Sequence, residues 1–133
     1  MEFGVIRQKV VIDAGPDEVY DAYVDMKKHA AFTGSSASGS SRVGGRFSAG
    51  DGYISAKFIV LEKGRKVVHD WTTSEWPPGC PPSLVELTLR PKGGKTELTM
   101  VHSKVPAEQV ERYTEGWKEF YWEPLKAYFS KSG

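Results

Sequence analysis

The sequence has one cysteine, no asparagine, no surplus of charge of either sign and no long apolar run. Its only cysteine, Cys80, cannot form an internal disulfide, and a chain without asparagine has no N-glycosylation acceptor, so nothing indicates an oxidising compartment. Eighteen basic and seventeen acidic residues leave a net charge of +1, without the basic surplus that a general nucleic-acid binder needs. The apolar runs fall far short of the ~20 residues of a membrane span, and residues 1–4 lack the pattern of a secretory signal. We therefore expect a cytoplasmic protein with no membrane span and no nucleic-acid partner.

The chain is rich instead in apolar residues, which make up 39% of its 133 residues and include an aromatic share of 12%. A chain of this length forms one compact domain, which we place at residues 1–133. Such a domain buries about two thirds of the surface that it exposes when unfolded, so a substantial core is expected.

Hydrophobic periodicity divides this domain into one strand, two short helices, a series of strands and a long helix. Residues Val5–Ile12 predict the first strand, Pro16 begins the first helix, and Met26–Phe32 form the second, which stops at Gly34. A polar segment rich in glycine and serine follows, and then the predicted strands Arg46–Ala49, Tyr53–Leu61, Lys66–Thr73, Leu84–Arg90 and Thr96–Ser103. The order favours a curved antiparallel sheet wrapped around the C-terminal helix.

The clearest pairing is a hairpin between the last two predicted strands. Pairing Leu89 with Leu98 closes a four-residue loop and places Val85 opposite His102 on the apolar face. The strand at 53–61 has no unique inward face, because its register against the next strand can be drawn in two ways.

The C-terminal helix carries a stripe of mostly aromatic residues at three- and four-residue steps between Val110 and Tyr128. Pro124 lacks the backbone N–H of one helical hydrogen bond, which predicts a kink or break near Phe120–Tyr121. The stripe is either ordinary core or one wall of a ligand cavity. The polar tips of tyrosine and tryptophan favour a cavity, because these groups need partners when they are buried.

Familiar catalytic and metal-binding patterns are missing. The segment Gly34–Gly39 has the glycine spacing of a phosphate loop, but Ser40 stands where the lysine should be. The three histidines share no metal-ligand spacing, and no carboxylate pair suits acid–base work. We expect no metal and no cofactor, and identify no catalytic residue. His102 is either a core histidine or a donor to a ligand.

Several segments together resemble the START-like superfamily, also called SRPBCC or birch-pollen-allergen-like, in the branch of heat-shock protein 90 ATPase activator homologues. They are the opening strand with residues Ala14–Ala22, then Lys28–Gly34, Val43–Phe47, Leu98–His102, Gly116–Trp117 and Tyr121–Leu125. The resemblance covers essentially the whole chain. It implies an α+β helix-grip fold, in which a curved antiparallel sheet grips a long C-terminal helix and encloses a cavity.

The resemblance also implies candidate cavity residues, eight in number, most of them aromatic. From the helix they are Tyr113, Trp117 and Tyr121; from the sheet and the loops they are Trp71, His102, Phe32, Phe47 and Trp76. The function we expect first is binding of a small hydrophobic molecule, of the lipid or aromatic class. The alternatives are a partner of the chaperone heat-shock protein 90 and a cyclase- or hydrolase-like enzyme with His102 as base. The sequence is compatible with a monomer or a weak homodimer.

Overall fold

The computed structural model describes residues 2–130 as one seven-stranded antiparallel sheet packed against helices. The strand order is β1-β7-β6-β5-β4-β3-β2, so the first and the last strands in the chain are neighbours. The strands are β1 (Phe3–Ile12), β2 (Ser38–Gly39), β3 (Arg46–Ala49), β4 (Ile54–Glu62), β5 (Lys66–Thr73), β6 (Ser83–Lys92) and β7 (Lys95–Pro106).

Two short helices connect β1 to β2, and local sequence signals set their ends. Helix α1 (Pro16–Val24) begins with proline at its first position, where no backbone N–H is needed. Helix α2 (Met26–Thr33) begins after Asp25, whose Oδ1 accepts hydrogen bonds from the backbone N–H groups of the first turn. It ends at Gly34, which has a left-handed backbone with φ of 76°. Both helices were predicted, and the structure confirms them.

The C-terminal helix is continuous but changes its winding in the middle. After a short 3₁₀ turn (Ala107–Gln109) it consists of α3 (Val110–Trp117), a π-helical turn (Lys118–Trp122) and α4 (Glu123–Phe129). Within the π turn the Glu123 N–H donates to the carbonyl of Lys118, five residues back. Pro124 follows directly and cannot donate to the carbonyl of Phe120. The predicted irregularity near Phe120–Tyr121 is therefore confirmed, and its form is a widened turn.

The core fills the space between the concave face of the sheet and these helices. Strands β6 and β7 turn Val85, Leu87, Leu98 and Met100 inward, each at most 1% exposed, and Trp122 and Leu125 of the helix pack toward them. This is the predicted helix-grip architecture, and the structure confirms it. Within residues 2–130 there is no helix with the length and apolarity to cross a bilayer.

Two details of the sheet differ from the prediction or complete it. The register of the β6–β7 hairpin is as predicted, with Leu89 opposite Leu98 and Val85 opposite His102. The predicted length of its loop, however, was wrong. Lys92 pairs with Lys95, so the loop contains two residues rather than four. In β4 a bulge near Ile59 shifts the register against β5 by one residue. Both registers that the sequence allowed are thus present, one on each side of the bulge.

Candidate functional site

A cavity of about 250 Å³ lies between the C-terminal helix and the strands β4 and β5. It is smaller than the roughly 300–1,000 Å³ of most ligand pockets. Its wall contains no charged side chain. The wall consists of Thr33, Ser35, Gly50, Tyr53, Ile54, Trp71, Tyr113, Gly116, Trp117, Phe120 and Tyr121.

Aromatic rings in edge-to-face and offset contacts build one side of this wall. Trp71 of β5 meets Tyr113 of α3 edge to face, with ring centroids 4.8 Å apart. It also lies 5.9 Å from Trp117, which in turn contacts Tyr121 at 4.9 Å. Such contacts add to simple burial, so this side of the wall is rigid. Phe120, by contrast, is 61% exposed and lies where the wall meets solvent.

The indole of Trp117 turns its N–H away from the cavity, into a buried chain of hydrogen bonds. It donates to Nδ1 of His102 over 3.0 Å, so the proton of that imidazole is on Nε2. Nε2 donates to Ser83 Oγ over 2.8 Å, and the Ser83 hydroxyl donates to the carbonyl of Trp71 over 2.7 Å. His102 is therefore a link between sheet and helix behind the cavity wall.

Tyr121 and Tyr23 make equivalent bonds to the other two histidines. The Tyr121 hydroxyl donates to Nε2 of His29 over 2.7 Å, and Nδ1 of His29 donates to the carbonyl of Tyr23. The Tyr23 hydroxyl donates to Nε2 of His69 over 2.8 Å, and Nδ1 of His69 donates to the carbonyl of Asp70. Each ring nitrogen thus has one partner and one defined role.

The two remaining tyrosines of the wall are also fully bonded. The Tyr113 hydroxyl donates to Gln109 Oε1 and accepts from the hydroxyl of Thr73, each over 2.8 Å. The Tyr53 hydroxyl donates to a carboxylate oxygen of Glu75, which also accepts from Arg112. Within the described part of the chain, every fully buried side-chain nitrogen or oxygen has a hydrogen-bond partner. The hydroxyls of Tyr53, Tyr113 and Tyr121 and the indole N–H of Trp117 thus have partners within the protein and do not by themselves require a cavity.

Burial keeps all three histidines neutral. It lowers the pKa of His69 to about 4, and it lowers the pKa of His102 to about 3 with a smaller contribution from the charge of His69. Burial also lowers the pKa of His29. With both nitrogens of His102 bonded to the protein, this side chain is not placed to take a proton from a molecule in the cavity. Residues 2–130 hold no cluster of side chains with the composition of a metal site.

The structure brings four of the eight candidate residues together in the cavity wall: Trp71, Tyr113, Trp117 and Tyr121. The other four lie outside it. His102 is behind Trp117, Phe32 packs on the outer side of Tyr121 with ring centroids 5.8 Å apart, and Phe47 stacks on Phe58 at 4.6 Å. Trp76 lies over Tyr113 at 6.3 Å, at the start of the proline-rich loop.

Sequence reasoning missed the rest of the wall. Phe120 was in the helical stripe with Tyr113 and Trp117, and this was a usable signal. Tyr53 and Ile54 begin the strand whose inward face was undecided. Thr33 ends helix α2, and Ser35 and Gly50 belong to loops; no pattern in the sequence predicts where these segments pack.

Comparison with known proteins places the chain in a family. Residues 13–130 match the family model described as "Activator of Hsp90 ATPase homolog 1-like protein". The chain belongs to this family. It is 33% identical over 124 residues to the human activator of 90 kDa heat shock protein ATPase homolog 1, covering 93% of this chain and 36% of the human protein. The chain thus spans about a third of the length of the curated relatives that it matches.

Solved structures of activator homologues share the fold. An HSP90 activator from Plasmodium falciparum superposes with a TM-score of 0.87 at 24% identity, covering 95% of this chain and 96% of that one. The Aha1 dimer from Colwellia psychrerythraea superposes with a TM-score of 0.79 at 16% identity, covering 98% and 99%. At these identities the likeness establishes the fold alone.

Proposed function

We propose that this domain binds a small, mainly apolar molecule in the cavity between its sheet and its C-terminal helix. The observation that carries the proposal is the composition of the wall, which combines rigid aromatic rings with no charged side chain. An apolar molecule gains free energy on entering such a site in proportion to the area it removes from water. The exposed ring of Phe120 marks the side from which the molecule enters.

Gly116 offers a way to fill the cavity without removing any core side chain. It lies in α3 on the cavity wall, and a Cβ atom built there meets no other atom within 4 Å. Gly116→Leu therefore adds bulk at the cavity and replaces a poor helix former with a good one. Replacing Trp117 with alanine would be a poorer test, because it would also break the bond to His102.

The experiment is native mass spectrometry of the protein isolated from its own cells, compared with the same sample after denaturation. We expect an additional mass that disappears on denaturation and is absent from Gly116→Leu. The matched control is Ala127→Leu, which introduces the same side chain at an exposed position of α4 outside the cavity. It should retain the additional mass. A bare polypeptide mass for the wild-type protein would refute the proposal.

A second candidate function is partnership with heat-shock protein 90. It is favoured by the relatives, which are activators of the heat-shock protein ATPase, and by the Plasmodium activator structure, which this one domain covers almost completely. We expect the purified domain to change the ATP turnover of the chaperone from the same organism. The Gly116→Leu variant separates the two functions, since partnership through the surface does not depend on the cavity. Unchanged turnover at saturating domain concentration would exclude direct activation.

A further inference from the structure

The indole N–H of Trp71 has no hydrogen-bond partner in the described part of the protein. The indole N–H groups of Trp76, Trp117 and Trp122 each donate to a protein acceptor. Because no fully buried side-chain nitrogen of the described residues lacks a partner, the nitrogen of Trp71 retains accessible surface. Trp71 is only 4% exposed and is one of the residues that line the cavity, so the cavity is the space from which a partner could reach this N–H.

None of the other polar side chains described in the wall offers a free donor of fixed polarity. The hydroxyls of Tyr53, Tyr113 and Tyr121 are bonded to protein groups. The Thr33 hydroxyl donates to the carbonyl of His29. The Ser35 hydroxyl can donate or accept, so it imposes no preference on a ligand. The wall therefore presents one unpaired group of fixed polarity, the Trp71 donor.

We propose that the cavity selects a neutral, flat molecule of one or two rings that carries a hydrogen-bond acceptor, such as a ketone or lactone carbonyl, and that Trp71 is the selecting residue. This inference rests on the proposed function. The small volume limits the number of rings, and the aromatic walls favour a flat shape. A charged molecule would lose its hydration without gaining an ion pair, since no charged side chain faces it. A hydrocarbon of the same shape would leave the indole N–H unpaired.

The test compares 1-tetralone with tetralin, two bicyclic compounds of similar shape of which only the first has a carbonyl. Binding of each is followed in two-dimensional ¹H–¹⁵N spectra, in which the four tryptophans of the chain each give one indole N–H signal. We expect tetralone to bind about two- to tenfold more tightly, as one neutral hydrogen bond predicts. The Trp71 signal should move downfield with tetralone and not with tetralin.

Two variants assign the preference to Trp71. Trp71→Phe removes the donor, retains an aromatic ring and identifies the Trp71 signal by its loss; it should bind both compounds equally. Trp76→Phe is the matched control, because its N–H donates to the carbonyl of Pro81 outside the cavity, and it should keep the preference. Equal binding of both compounds by the wild-type protein would overturn the selection by Trp71 but leave the binding function intact. Binding of neither compound would overturn both.

Discussion

The buried polar groups of this core determine the protonation state of its histidines. His29, His69 and His102 are fully buried, and each ring has one nitrogen that donates and one that accepts. Only the neutral ring, in a single tautomer, satisfies both bonds. An added proton would break an accepted bond and place a charge in a fully buried region. The three imidazoles therefore connect elements of the fold through their hydrogen bonds.

The first prediction concerns the hydroxyl that Tyr121 donates to His29. Tyr121→Phe leaves Nε2 of His29 buried without a donor, so we expect the free energy of unfolding to fall by about 1–3 kcal/mol. The ring that forms the cavity wall is retained, and ligand binding should change little. Urea unfolding at pH 7.5 measures the first effect, and titration with a bound probe measures the second.

Tyr128→Phe is the matched control for this prediction. Tyr128 is half-buried on the same helix, and its hydroxyl has no hydrogen-bond partner within residues 2–130. We expect a change of less than about 0.5 kcal/mol. If both variants lose the same stability, the bond between Tyr121 and His29 does not have the role assigned to it.

The sequence predicted that His102 is buried, but it did not predict the hydrogen-bond partners of the buried histidines. Strand alternation placed His102 inward on β7, and the structure confirms this. Its bonds to Trp117 and Ser83 join the helix, β6 and β7, and no local pattern contains that information. The protein partners of the tyrosine hydroxyls were not predicted either, because they come from distant parts of the chain.

At the scale of elements, the π turn of the C-terminal helix brings several wall residues to the cavity. Pro124 leaves the carbonyl of Phe120 without its usual donor, and the backbone widens over the preceding residues. Phe120 and Tyr121 lie within this turn, and both face the cavity. The sequence predicted the position of the irregularity, because a missing N–H has a local effect. Its π form depends on how Tyr121 and Trp122 pack, which the sequence does not reveal.

The second prediction tests whether Pro124 causes the widened turn. Pro124→Ala restores the missing N–H and allows a regular α-helix through Lys118–Trp122. We expect the free energy of unfolding to rise by about 1–2 kcal/mol, less than the roughly 3 kcal/mol of a proline in a regular helix, because the π turn already relieves part of the clash. Urea unfolding gives the stability, and hydrogen exchange of the amides in 118–124 reports the winding. A loss of stability would mean that side-chain packing enforces the π turn.

At the scale of the whole molecule, the fold was predictable, whereas the full wall of the cavity was not. Each strand and helix follows from a local period, a cap or a turn, and their order leaves few ways to bury the apolar faces. The cavity is the space that remains after the C-terminal helix, two strands, the end of α2 and two loops have packed. Its wall includes Gly50 and Ser35 because of loop conformations that depend on contacts distant in sequence. Four of the eight candidate residues therefore line this cavity, all of them on β5 or the C-terminal helix, and their contact with a ligand stays a prediction.

The last prediction is that the folded molecule loses stability in mild acid. The unfolded chain binds protons at its histidines as the pH falls through about 6.5. In the folded protein burial lowers the pKa of His69 to about 4 and the pKa of His102 to about 3, so these two rings stay unprotonated in mild acid. The unfolded state then binds more protons than the folded state. The free energy of unfolding is therefore greatest above pH 6.5 and decreases as the pH falls below it. Each of these two histidines contributes about 1.4 kcal/mol per pH unit until its folded pKa is reached, and His29 acts in the same direction.

Urea unfolding between pH 7.5 and 4.8 measures this dependence before most carboxylates begin to titrate, since their ordinary pKa values lie near 4. We expect little change from pH 7.5 to 6.5 and then a fall that approaches about 3 kcal/mol per pH unit from His69 and His102. A domain with an ordinary free energy of unfolding, about 5–15 kcal/mol, would lose most of it within a few pH units. If the free energy of unfolding is constant from pH 7.5 to 5, all three rings must bind protons in the folded protein as they do in the unfolded chain. The pH dependence of the histidine Cε1–H shifts checks this independently, because only a histidine that titrates in the native state changes its shift above pH 5.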